Sequence, residues 1–173
     1  MTIATQLTSD EYHEYYGPYI NMVGEEELLE ALEDSADAFE QMIINLPVEK
    51  LEYSYEDGKW TVAQIILHLV DSERVFQYRA LRFSKNDMTD IPGFDQDKYI
   101  ADIIGDKTPS KKELLEAFNS VRESSYQLFK GLSNERLLRK GTANGTYMSV
   151  RAIGFMLSGH VRHHMKIINE RYL

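Results

Sequence analysis

Four stretches of this chain place apolar residues three and four positions apart, the spacing of an α-helical stripe, and the runs between them are too short or too turn-rich for a sheet. The fold class expected is therefore all-α. The first stretch covers 25–45, with Leu28, Leu32, Phe39, Met42, Ile43 and Leu46 facing inward, acids in its opening turn and Pro47 as its stop. The second covers 62–83, opened by the capping box Thr61-Val-Ala-Gln64 and buried through Ile65, Leu69, Phe76 and Ala80. The third covers 111–130, opened by Ser110-Lys-Lys-Glu113, closed by Gly131 and buried through Leu114, Phe118, Val121, Ser125 and Leu128. The fourth covers 150–172 after a Ser149 cap, with Ile153, Leu157, His160, His164, Ile167 and Ile168 on one side.

A shorter helix is expected before these, from the capping-box pattern Thr8-Ser-Asp-Glu11 to about Gly24, packing through Tyr12, Tyr16 and Ile20. Two connections stand out. Residues 84–109 exceed an ordinary bundle loop and carry Pro92, Gly93 and Gly105, which marks a functional segment. Residues 141–147 contain the turn signal Asn144-Gly145 and suggest a short ribbon.

At 173 residues and 43% hydrophobic content the chain can bury a core without staples, so residues 1–173 are expected to form a single domain. A formal charge of -9 disfavours phosphate backbones and anionic membranes, so neither nucleic acid nor membrane is expected as a partner. No stretch has the length and apolarity of a membrane span, and the first ten residues lack the basic and apolar regions of a signal peptide. The location expected is cytoplasmic.

Cysteine is absent, which removes disulfides, thiolate ligands and a protein thiol nucleophile together. A transition-metal site would need imidazole and carboxylate donors, and the histidines are five: His13, His68, His160, His163 and His164. His160 and His164, four apart on a periodic helix, share a face about 6 Å apart along its axis. His68 sits on the edge of the second helix's stripe, three after Ile65 and four before Ser72, and points the same way. Bundles build metal sites from inward side chains on facing helices, and three imidazoles leave a coordination position open. The competing reading is three core histidines, each satisfied by its own polar partner. His163 is rotated about 100° from His164, towards solvent or a neighbouring protomer, and His13 reads as a surface residue. Asp71 and Glu73 are candidates to hold a ligand imidazole from behind, against an ordinary role as solvated helix charges. Neither a His-Glu-x-x-His helix nor paired Glu-x-x-His motifs are present, and P-loop, dinucleotide and Gly-x-Ser-x-Gly signatures are missing too.

Trp60-Thr-Val-Ala-Gln-Ile-Ile-Leu-His68-Leu-Val-Asp-Ser-Glu73, Pro92-Gly-Phe-Asp95 and Gly159-His-Val-Arg-His-His164, in this order, resemble the DinB-like superfamily, which includes metal-dependent bacillithiol S-transferase-like proteins. The resemblance spans nearly the whole chain. It implies a four-helix bundle of up-down-down-up type, often a homodimer, with one divalent ion held at one end by His68, His160 and His164. Zinc, nickel, iron or cobalt would suit nitrogen ligands at roughly 2.0–2.1 Å. The resemblance also implies a low-molecular-weight thiol cosubstrate such as bacillithiol, mycothiol or glutathione, whose thiol a divalent cation deprotonates. The function expected is a metal-dependent S-transferase acting on a small electrophile. The alternatives are a metal-dependent hydrolase using water, which would need Asp71 or Glu73 to face the metal as base, and a non-catalytic metal-binding stress-response module. A role on DNA finds no support in so acidic a chain.

Overall fold

In the computed structural model residues 2–104 and 106–173 are described; Met1 and Gly105, the latter in the long connection singled out above, lie outside them. The chain opens with two short 3-10 turns, Ala4–Gln6 and Glu14–Tyr16, and one turn of helix, α1 (Gly17–Ile20). Four long helices follow: α2 (Leu28–Asn45), α3 (Val62–Ser84), α5 (Lys111–Lys130) and α7 (Val150–Arg171). Between α3 and α5 lies α4 (Gln96–Asp102). Between α5 and α7 lie α6 (Asn134–Leu137) and the antiparallel hairpin β1 (Lys140–Ala143) and β2 (Thr146–Ser149).

Side-chain pairs fix the direction of each long helix. Lys111, opening α5, donates to the carbonyls of Ile44 and Leu46 at the end of α2, while Arg122 further along α5 reaches Leu32 near the start of α2. These two are antiparallel. Glu73 and Gln77 of α3 meet Arg122 and Ser124 of α5 in the same order, so α3 and α5 run parallel. The Tyr172 hydroxyl, just past α7, donates to the Trp60 carbonyl just before α3 at 2.7 Å, so α7 runs against α3 and with α2. The result is the up-down-down-up bundle. Parallel neighbours cannot be joined by a tight turn, which explains the length of the α3–α5 connection.

The helix starts follow their caps. Thr61 Oγ1 accepts from the Gln64 amide at 3.2 Å while Gln64 Oε1 accepts from the Thr61 amide at 2.8 Å, and Ser110 with Glu113 repeats the exchange. Ser149 Oγ accepts from the Ala152 amide at 3.1 Å and begins α7. Helix α2 starts at Leu28, the first residue of its stripe and three residues later than the expected start at 25. Gly24, at φ +72°, turns the chain, Glu26 is taken by Arg162, and Glu27 becomes the cap. Leu128 and Ile167 are only partly buried, their neighbours Phe129 and Ile168 filling the core instead. The 141–147 ribbon is present: Asn144 and Gly145, at φ +53° and +69°, form the two-residue turn.

The helix expected from Thr8 is not formed. The Thr8 amide and hydroxyl both donate to Glu11 Oε1, but the Glu11 amide donates to the Thr8 carbonyl and not to its hydroxyl, so only half of the capping box forms and it closes a single turn. The Glu11 carboxylate also accepts from Ser149 Oγ at 2.9 Å and from the Arg151 guanidinium, and Tyr12 bridges Met148 as a strand would. Contacts distant in sequence thus outcompete the local helix signal. Tyr16 and Ile20 pack into the core as expected and Tyr12 lies against it.

Glu11 is 3% exposed. Burial pushes its carboxyl up, but hydrogen bonds from Arg151, the Thr8 backbone and Ser149 outweigh that and hold it at about 2, against an ordinary 4.5. A folded-state pKa below the unfolded one stabilises at pH above the unfolded value and loses that contribution as pH falls towards the folded value. Glu11→Gln should therefore cost about 3 kcal/mol at pH 7, where it strands Arg151, and progressively less from pH 4.5 down to pH 2. Urea unfolding of both proteins across that range checks this; a gap independent of pH would refute it.

Candidate metal centre

Two helices bring the three predicted histidines together. His68, on α3, is 4% exposed. His160 and His164 lie one turn apart on α7, mostly inside the protein but with an edge left open. His160 Nε2 is 3.1 Å from His68 Nε2 and 3.1 Å from His164 Nε2, and all three rings offer a nitrogen within 4.8 Å of the others. Among the described residues no other group of three histidine or acidic side chains converges in this way.

Local packing sets the ring positions. Trp60 lies against His68 at 4.8 Å between ring centres, and Ser72 Oγ, one turn on, is 3.4 Å from His68 Nδ1. Tyr19 of α1 packs edge-on to both His160 and His163, at 5.4 and 5.1 Å. That approach depends on Gly159, because a Cβ there would lie 1.9 Å from the Tyr19 carbonyl oxygen. A glycine next to His160 is what lets α1 close over the imidazoles.

Burial lowers the pKa of each ring. His68 falls to about 4 through burial alone, and His164 to about 3 through burial and then the charges of His68 and His163. His160 falls well below its usual value, through burial first and then its histidine neighbours and Arg122. All three are neutral at pH 7, with lone pairs available.

Neutral imidazoles alone do not satisfy this arrangement. A ring nitrogen carries one proton or one lone pair. His164 Nδ1 is buried without a hydrogen-bond partner, while three Nε2 atoms face each other. A divalent cation fits the donor set: 3.1 Å is the separation of two nitrogens each about 2.0–2.1 Å from one ion and roughly at right angles around it. In that tautomer the Nδ1 proton of His68 points to Ser72.

The other sequence candidates lie elsewhere. Asp71 pairs with Arg74 at 3.0 Å on the helix surface. Glu73 is buried, but against Arg122 at 2.8 Å. Neither is hydrogen-bonded to a triad imidazole, and the hydroxyl of Ser72 between them stands where a supporting carboxylate was expected; the helical rotation carries residues 71 and 73 to either side of the His68 face. His163 is half-buried against Tyr19 rather than turned out to solvent. His13 is not a ligand candidate: its Nδ1 accepts from the Tyr15 amide at 3.2 Å.

Cavities open on both sides of the triad. One of about 350 Å³ is lined by His160, Ser72, Tyr16, Tyr19, Phe76 and Arg79, among others. Another of about 280 Å³ is lined by His164, Trp60, Tyr55, Asp97 and Tyr172, among others. The long connection contributes to both, with Phe94 and Gln96 in the first and Asp97 in the second. Tyr19, Ser72, Arg79 and Asp97 were not singled out from sequence. The signal for two of them was present: His68, Ser72, Phe76, Arg79 and Phe83 follow one another at helical spacing, so Ser72 and Arg79 share the His68 face with two phenylalanines.

The DinB superfamily sequence model matches residues 31–168. A protein of Oceanobacillus iheyensis provisionally named a metal-dependent hydrolase is 25% identical over 142 residues, covering 80% of this chain and 80% of its own length. Among solved structures, YfiT from Bacillus subtilis, described as a probable metal-dependent hydrolase with an unusual four-helix bundle topology, superposes with a TM-score of 0.70. That match has 18% identity and covers 95% of this chain and 90% of YfiT. No described helix is long and apolar enough to cross a membrane.

Proposed function

This chain belongs to the DinB superfamily, and from that premise we propose that it is a metal-dependent enzyme, holding one divalent ion with His68, His160 and His164 and transferring a group to a small thiol. The observation that carries the metal reading is the meeting of the Nε2 atoms, His160 lying 3.1 Å from each of its two partners. The ion would act as a Lewis acid, making a thiol or water nucleophilic at neutral pH.

The protein's own groups favour the thiol. A free thiol has a pKa of about 8.5 against roughly 15.7 for water, so it needs far less help in losing its proton. Among the described residues no carboxylate lines the cavity beside His160, and Asp71 and Glu73 are engaged elsewhere. Ser72 fixes the His68 ring through Nδ1, while Trp60 and Tyr19 cover the imidazoles and limit water. The sulfur would bond to the electrophilic carbon as the leaving group departs with its electron pair.

A hydrolase is the second reading. The description carried by both relatives favours it, as does Asp97, a carboxylate lining the cavity beside His164. Metal-reconstituted protein assayed with monochlorobimane and a panel of thiols, alongside p-nitrophenyl esters, separates the two. Thiol-dependent conjugation that disappears in His160→Ala is expected. Ester hydrolysis without thiol turnover, itself lost in Asp97→Asn, would replace the transferase with the hydrolase.

A further inference from the structure

Arg79 of α3 is 3% exposed and lines the cavity that reaches His160. Its Nε is buried without a hydrogen-bond partner. Among the described residues no carboxylate lies within ion-pair distance of it, whereas the buried arginine of α5, Arg122, donates from Nε and Nη2 to the two oxygens of Glu73. Its neighbours are rings: Phe76 at 4.7 Å from the guanidinium carbon, Phe94 at 5.9 Å, and Tyr16 alongside. Stacking on aromatic faces is favourable and the Tyr16 side chain lies within polar reach, but Nε is left without a partner, and an arginine does not escape by losing its proton. A buried guanidinium without a counter-ion is therefore incomplete as it stands.

We propose that Arg79 anchors a carboxylate carried by the small molecule that reacts next to His160, its fork taking the two oxygens while the rest of the molecule lies among Tyr16, Tyr19, Phe76 and Phe94. The charge balance selects a single carboxylate. Among the described residues lining that cavity Arg79 is the one lysine or arginine, so at the end away from the triad there is a single fork and a single positive charge to meet, which one carboxylate matches. The reacting end of the molecule is placed by the triad and the far end by Arg79, which holds the two in register. This assignment rests on the reading of the triad as a reaction centre, but the anion site itself does not require a metal.

The test is an NMR titration of the full-length protein, chelator-stripped and zinc-reconstituted in parallel, with 3-phenylpropionate and its neutral amide. Wild type should bind the acid about tenfold or more tightly than the amide in both forms. Arg79→Gln should bring the acid to the level of the amide, and Arg79→Lys, which keeps the charge but loses the fork, should fall between. Equal binding of acid and amide by wild type, or undiminished acid binding by a folded Arg79→Gln, overturns the proposal. If Arg79→Gln fails to fold by circular dichroism, the acid-to-amide ratio of wild type and the Arg79→Lys result decide. Protein that prefers the acid but cannot be loaded with zinc would sink the metal reading alone; normal zinc loading with no preference would sink this one alone.

Discussion

Cutting Glu73 back to alanine should destabilise the protein by about 3–5 kcal/mol, because it leaves a buried charge unpaired. Arg122 donates to both Glu73 oxygens at 2.8 Å, to the Leu32 carbonyl at 2.9 Å and to Ser35 Oγ at 2.8 Å. This polar layer ties α2, α3 and α5 together where two apolar clusters meet. Leu32, Phe76 and Phe129 belong to one cluster, and Phe39, Leu69 and Phe118 to the other. Replacing both partners, Glu73→Leu with Arg122→Met, should cost much less than Glu73→Ala, since no charge is then stranded. Denaturant unfolding of the single and double variants reads the difference; additive losses would show that the pair is not coupled.

The second large effect concerns His160, whose Nε2 is the one in contact with both of its partners. His160→Ala should weaken zinc binding by more than about 100-fold, the upper range for loss of a mere supporting partner. Competition with a chromophoric chelator measures this. His163→Ala is the control, because that ring packs on Tyr19 and stands outside the triad, and its zinc affinity should stay within about threefold of wild type. Equal losses in the two variants would mean that α7 merely needs its histidines for packing.

The bundle was legible because helical periodicity is a local property: Leu114, Phe118 and Val121 are buried where their spacing puts them, and Thr61, Ser110 and Ser149 cap where their side chains reach the free amides. Thr8 failed for the converse reason. Its hydrogen bonds to Glu11 satisfy a turn as well as a helix, and the choice is made by Arg151 and Ser149, about 140 residues away.

The triad was legible for similar reasons. His160 and His164 are fixed by a four-residue spacing, and His68 by its place beside Ile65 in a stripe. The surroundings were not. Glu73 lies one residue from Ser72, yet only the tertiary position of Arg122 decides that the carboxylate turns to α5 while the hydroxyl supports His68. Arg79 falls on the His68 stripe by spacing, but periodicity alone does not show that an arginine there lacks a carboxylate partner. The cavity it lines is completed by Phe94 and by Asn144 and Thr146 of the hairpin, segments whose course no periodicity encodes.

Anomalous diffraction from crystals of the wild-type protein grown with stoichiometric zinc tests the centre most directly. The predicted result is one peak per chain, within bonding distance of Nε2 of His68, His160 and His164 together. A peak that omits one of these rings, or no peak between them at full zinc occupancy elsewhere, would contradict it.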